Sequence, residues 1–132
     1  MRFDAKVEEL DNVIAYIEGE LEKLNAPTKV IMQMAVAVEE IFVNIAHYAY
    51  AEDNIGGPAE VSVILHDNMI DVIFEDEGVE FDPLAKADPD VSLEADDRQI
   101  GGLGIFMVKK SMDSVEYRRD GGKNILTIKK SW

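Results

Sequence analysis

The feature that most constrains this chain is a change of hydrophobic period near residue 58. Before it, apolar residues recur every three or four positions; after it, they alternate. In the first part Leu10, Val13, Ile14, Ile17 and Leu21 form one stripe of an amphipathic helix over about residues 7–24, which should end at Asn25 before Pro27. A second helix is expected from about Thr28, whose hydroxyl would cap the free amides, to about Ala49. Its core face would be Ile31, Met34, Val38, Ile41, Ile45 and Tyr48.

Beyond the glycine- and proline-bearing turn at residues 54–58, Val61, Val63 and Leu65 share one face of a strand. The sequence His66-Asp67-Asn68 turns the chain. Ile70, Val72 and Phe74 then share a face of the next strand, with Asp71 and Glu75 opposite. Residues 84–100, LAKADPDVSLEADDRQI, are polar and acidic and form a long loop of the kind that often carries function. A helix opens at Gly101–Gly104 with Ile105, Val108 and Met112 aligned. The strands SVEYRR and NILTIKK, joined through Asp120-Gly121-Gly122, make a closing hairpin, and a short strand is allowed at MRFDA. Tight turns make neighbouring strands antiparallel. The expected fold is an α/β two-layer sandwich, its sheet mixed and mostly antiparallel, covered on one face by helices.

Composition sets the outer limits. A chain of 132 residues is read as one domain over residues 1–132, and 47% hydrophobic with 30% charged residues is ordinary for a globular fold. No unbroken apolar run approaches a membrane span, and the start of the chain lacks the basic-then-apolar order of a signal peptide. The absence of cysteine removes disulfides, thiolate metal sites and a cysteine nucleophile. A cytoplasmic setting without a membrane partner fits. A net charge of -14, from 13 basic and 27 acidic residues, argues against nucleic acid as a partner. Lys109, Lys110, Arg118, Arg119, Lys123, Lys129 and Lys130 fall in the last third, where they make either a solvated surface or the surroundings of an anionic ligand.

Four segments could carry chemistry. In EEIFVNIAHYAY, residues 39–50, Glu40, Asn44 and His47 stand at helical spacing on one polar stripe. A carboxylate and an amide so placed can hold a divalent cation and orient a hydroxyl, or can be a helix salt-bridge face, for which no lysine or arginine lies on the stripe to pair with Glu40. Asp76 continues the parity of Ile70, Val72 and Phe74 and so falls on the apolar side of its strand, where it is either a fraying end or an acceptor awaiting a ligand donor. In EDEGVEFDP, residues 75–83, Gly78 permits a close approach that a side chain would forbid. In IGGLGIF, residues 100–106, Gly101, Gly102, Leu103 and Gly104 make either a loop hinge or an anion cradle at a helix N-terminus. This stretch completes neither the dinucleotide fingerprint, for which Met107 replaces the third glycine, nor a P-loop.

Taken in order, these segments resemble the ATP-binding domain shared by gyrase, histidine kinases and MutL, the GHKL superfamily with its Bergerat fold. Glu40, Asn44, His47 and Tyr50, the D-x-G-x-x-F-D-P of residues 76–83 and the R-Q-I-G-G-L-G-I of residues 98–105 are similar to the bacterial anti-sigma factor serine/threonine kinases. The resemblance implies roles. Asn44 would ligate magnesium and Glu40 would be the base for an attacking serine hydroxyl. Asp76 would accept from the adenine amine, with Gly78 admitting the ring and Thr127 supporting it. Gly102 and Gly104 would present amides to the phosphates, Gly101, Leu103 and His47 would be further nucleotide-binding residues, and Arg98 would reach the terminal phosphate from an ATP lid at about residues 84–100. The implied protein is an ATP- and magnesium-dependent kinase acting on an anti-anti-sigma (STAS-type) protein, able to hold a sigma factor and to form a homodimer. An ATP-gated binding module with little turnover is the alternative. The helix with a phosphoacceptor histidine of a histidine kinase and the transducer of gyrase and MutL are not expected within these 132 residues.

Overall fold

The period change falls where the helical layer gives way to the sheet. The computed structural model describes residues 1–51, 56–85 and 102–132. In chain order these form strand β1 (Arg2–Asp4), a short 3-10 turn (Val7–Glu9), helices α1 (Leu10–Lys23) and α2 (Thr28–Tyr48), strands β2 (Pro58–His66) and β3 (Met69–Asp76), helix α3 (Gly102–Ser111), and strands β4 (Ser114–Asp120) and β5 (Lys123–Ser131). The strand order is β1-β2-β3-β5-β4, and every neighbouring pair among the described residues is antiparallel. The sheet therefore lies at the antiparallel end of what the sequence allowed.

The core forms between the helices and one face of the sheet. Val13, Ile17 and Leu21 of α1 and Met34, Val38, Ile41 and Phe42 of α2 pack with Val61, Ile70, Val72, Phe74, Leu126 and Ile128. Phe42 and Phe74 are fully buried, each contributing roughly 1.5–3 kcal/mol by leaving water. Ile105 and Val108 of α3, and Met112 just beyond its end, are buried as the spacing required. The opposite face of the sheet carries Ile64, Asp71, Ile73 and Thr127, with Ile64 46% exposed.

Local chemistry explains the ends. Asn25 takes a left-handed φ of 54° after α1, and Ala26 N–H returns to the Leu21 carbonyl at 3.2 Å, which closes the helix. Gly121 and Gly122, at φ 58° and 79°, supply the two left-handed residues that the tight β4–β5 turn requires.

Three local expectations change. The first helical stretch begins as a 3-10 turn, so α1 starts at Leu10. Thr28 does not cap α2: the cap position is the extended Pro27, and no side chain bonds there. Tyr48 lies off the core stripe at 50% exposure, because Ala37 and Phe42 shift the buried face of α2 round from it. By length and mean hydropathy α2 also reaches the range of a membrane-spanning helix, although its apolar run is broken by Glu39 and Glu40. Its inward stripe is nonetheless part of the core of this domain.

Candidate functional site

A cleft opens between α2, the end of β3 and the β4–β5 hairpin. Ile41, Ile45, Phe74, Ile105 and Leu126 make it apolar, while Asn44, Asp76 and Asn124 supply its polar groups. This mixture of apolar wall and few convergent polar groups is what small-molecule sites share. At the cleft, Tyr48 and Phe81 stack with ring centroids 5.4 Å apart and planes 23° from parallel.

Asp76 sits where the strand parity placed it. The strand does not fray before it: Asp76 pairs with Ala59 on one side and Asn124 on the other, and it is 6% exposed. A carboxylate so buried needs donors. Gly78 N–H and Asn124 Nδ2 both donate to its Oδ1, each at 2.9 Å. Gly78 is fixed by space, since a Cβ there would overlap the Ala49 carbonyl, which accepts from Val79 N–H at 2.9 Å. The loop after β3 thus lies directly on the end of α2.

Asn124 was not legible in the sequence, yet it is the hub of the site. Its Nδ2 donates to Asp76 and, at 2.7 Å, to the Val79 carbonyl. Its Oδ1 accepts from the Tyr117 hydroxyl at 2.5 Å, Arg119 Nη1 at 3.1 Å and Phe81 N–H at 3.3 Å. Arg119 also donates to the Gly78 carbonyl at 2.8 Å. Burial, and secondarily the nearby Glu80 carboxylate, raises the pKa of Tyr117 above its ordinary value, so the hydroxyl remains a donor at neutral pH. Tyr48, Tyr117 and Arg119 were likewise missed, whereas Phe81 belongs to the D-x-G-x-x-F-D-P segment and carried a signal. A second tyrosine braces the same end of the sheet: the Tyr50 hydroxyl donates to the Pro58 carbonyl at 2.6 Å and accepts from Glu77 N–H at 3.0 Å.

The helical stripe divides. Asn44 lines the cleft, and its Nδ2 reaches Glu40 Oε1 at 3.4 Å, a long bond. Glu40 itself lies just outside, in a shallow depression with Val36, Val43, Gly104 and Met107. Gly104, in the first turn of α3, is packed so tightly there that a Cβ would collide with the Glu40 carboxylate. The glycine lets the N-terminus of α3 approach α2, and with it the free amides and positive dipole end of the helix. Gly102 and Leu103 begin that helix, while Gly101, Arg98 and nearly all of the expected lid lie outside the described residues.

Two sequence assignments are not brought together with the rest. His47 is exposed, sets its ring edge-on to Tyr48 with centroids 6.2 Å apart, and does not line the cleft. Thr127 pairs with Ile73 and Glu116 and so lies on the outer face of the sheet, away from Asp76. Strand alternation gives the inner row to Asn124, Leu126 and Ile128.

An antiparallel sheet under a helical layer, with an acid-ended strand and a glycine-opened helix around one cleft, is the architecture of a nucleotide-binding domain of the GHKL type. The histidine kinase-like ATPase domain family matches residues 3–130, and the chain belongs to that family. Serine-protein kinase RsbW of Bacillus cereus (strain AH820) is 27% identical over 135 residues, spanning 98% of this chain and 82% of that protein. Serine-protein kinase RsbW of Halalkalibacterium halodurans is 31% identical over 126 residues, spanning 92% of this chain and 76% of that protein. Among solved structures, the histidine kinase domain of the blue-light activated histidine kinase of Erythrobacter litoralis EL346 superposes with a TM-score of 0.60 at 13% identity. That match covers 92% of this chain and 60% of the other, and shows a shared fold. The resemblance to the GHKL anti-sigma kinases is thereby borne out.

Proposed function

We propose that this chain is an ATP- and magnesium-dependent serine/threonine-protein kinase that phosphorylates an anti-anti-sigma (STAS-type) protein in a partner-switching system, and that it holds a sigma factor in the alternate state. The observation that carries the reading is the juxtaposition of Glu40 and Asn44 with the N-terminal turn of α3, beside a cleft that ends at Asp76. A binding module needs the cleft but has no use for a carboxylate beside the expected phosphate position.

The residues fit the nucleotide. Asp76 offers an acceptor at the buried end, Phe74, Ile45 and Leu126 offer flat apolar contact, and the α3 N-terminus offers amides to phosphate. They also fit magnesium. Among the described residues no three His, Cys, Asp or Glu side chains form a metal cluster, which suits an ion held largely by phosphate oxygens and one protein ligand. Asn44 gives its Nδ2 to Glu40, which leaves its side-chain carbonyl as that ligand. Bound magnesium would neutralise charge on the transferred phosphate. Glu40 would take the proton of the attacking hydroxyl, and the hydrogen bond from Asn44 would orient its carboxylate. The Arg98 guanidinium would meet the terminal phosphate, with Gly101, Gly102 and Leu103 at the phosphate turn. A homodimer acting in the cytoplasm, with protein rather than nucleic-acid partners, completes the proposal.

Transfer of labelled phosphate from ATP to a purified STAS-type partner tests it. Wild-type protein should label the partner, Glu40→Ala should bind nucleotide without labelling, and Asn44→Ala should bind magnesium-ATP more weakly. Partner release by ATP with no phosphate transferred would instead establish a nucleotide-gated binding module.

A further inference from the structure

The Asn124 amide is oriented without ambiguity. Three donors, from Tyr117, Arg119 and Phe81, converge on its oxygen, while two acceptors, Asp76 Oδ1 and the Val79 carbonyl, face its nitrogen. An inverted amide would set donors against donors and acceptors against acceptors. Asn124 therefore presents a fixed N–H to Asp76. Because Gly78 N–H ends on the same oxygen, Oδ1 is occupied twice, and both bonds are short and buried.

We infer that Asn124 is a positioning residue that sets the base selectivity of the cleft. By engaging Oδ1 it holds the Asp76 carboxylate in one rotation, with Oδ2 as the oxygen that receives a ligand. A carboxylate oxygen can only accept, so the ligand edge it meets must donate: an aminopurine is received, and a purine with a carbonyl at that position meets lone pair against lone pair. The β4–β5 hairpin thus acts on base choice through Asp76. Tyr117 and Arg119 act one step further back, holding the Asn124 oxygen so that its nitrogen stays aimed. This inference rests on the nucleotide reading of the cleft.

Calorimetric titration of the full chain with magnesium-ATP and, separately, magnesium-ITP tests it, since inosine carries a carbonyl where adenine carries the amine. Wild-type protein should prefer ATP. Asn124→Asp keeps size and shape but replaces the fixed donor with an acceptor, and should lower the ATP-over-ITP ratio about tenfold, the scale of one hydrogen bond to a charged group. Tyr117→Phe removes one donor to the Asn124 oxygen and should lower the ratio by a smaller factor in the same direction, so it decides the matter if Asn124→Asp does not fold. A parallel loss of both affinities would reduce Asn124 to a structural role and overturn the inference, as would an unchanged ratio in folded variants. Failure of wild-type protein to bind either nucleotide would remove the nucleotide reading itself. Wild-type binding of both without preference would sink the selectivity claim alone.

Discussion

Strand β3 carries two buried aspartates on opposite faces of the sheet, and they differ in almost everything except burial. Asp76, under the helices, is 6% exposed and receives two N–H donors on Oδ1. Asp71, on the open face, is 9% exposed, lies across from Ile64 and Lys129, and among the described residues meets only His66 Nε2 at 3.2 Å, on Oδ2, while its Oδ1 has no partner among them. Depth alone does not mark a binding acid. What separates the two is that the partners of Asp76 are themselves held, through Asn124 to Tyr117 and Arg119, whereas His66 is 38% exposed at the end of its strand. A ligand acceptor has to be aimed before the ligand arrives, and aiming needs such backing.

The comparison places the proposed site on the covered face, and five substitutions test that placement. The largest effect is expected for Glu40→Ala, which should slow phosphate transfer by about 10²- to 10⁴-fold, the usual worth of a general base, with ATP affinity unchanged in calorimetry. Transfer at the wild-type rate would dismiss Glu40 as the base. Next comes Asp76→Asn, which turns an acceptor into a partial donor facing the amine of the proposed nucleotide. ATP affinity should fall by about 10- to 100-fold in the same titration. Gly78→Ala should cost about 1–3 kcal/mol in denaturant unfolding, because the added methyl meets the Ala49 carbonyl, and an unaltered midpoint would show that the close approach is not rigid. The smallest effects belong to the open face: Thr127→Ala and Asp71→Asn should each leave ATP affinity within about twofold, equivalent to about 0.5 kcal/mol. A large loss from Thr127→Ala would restore it to the site and break the comparison.

The elements were legible because their signals are local. Hydrophobic period separated helices from strands, the glycine pair marked the last turn, and parity alone put Asp76 on the inner face. The failures are non-local. In NILTIKK, Ile125 and Leu126 are both buried, at 7% and 6%, although they point to opposite faces, so alternation within the segment does not reveal which face Thr127 takes. Only the register against β3, which sets Asp76 across from Asn124 and Ile73 across from Thr127, decides it. The Asn124 hub joins residues far apart in sequence, Asp76 and Val79 to Tyr117 and Arg119, and no local spacing encodes that. The Glu40 contact with Gly104 is similar: each residue stood out in its own segment, but their meeting depends on how α3 docks on α2.

Strand β5 follows every other element of the fold in the chain, yet it occupies an interior place in the sheet, between β3 and β4. During synthesis the β2–β3 hairpin is therefore complete while one edge of β3 still lacks its neighbour, and Asp76 still lacks Asn124. A chain interrupted before Lys123 would leave that edge open along a run that includes Ile70, Val72 and Phe74, a template for pairing with other chains. Completion of the cleft and closure of this exposed edge are thus the same event in the assembly of the fold.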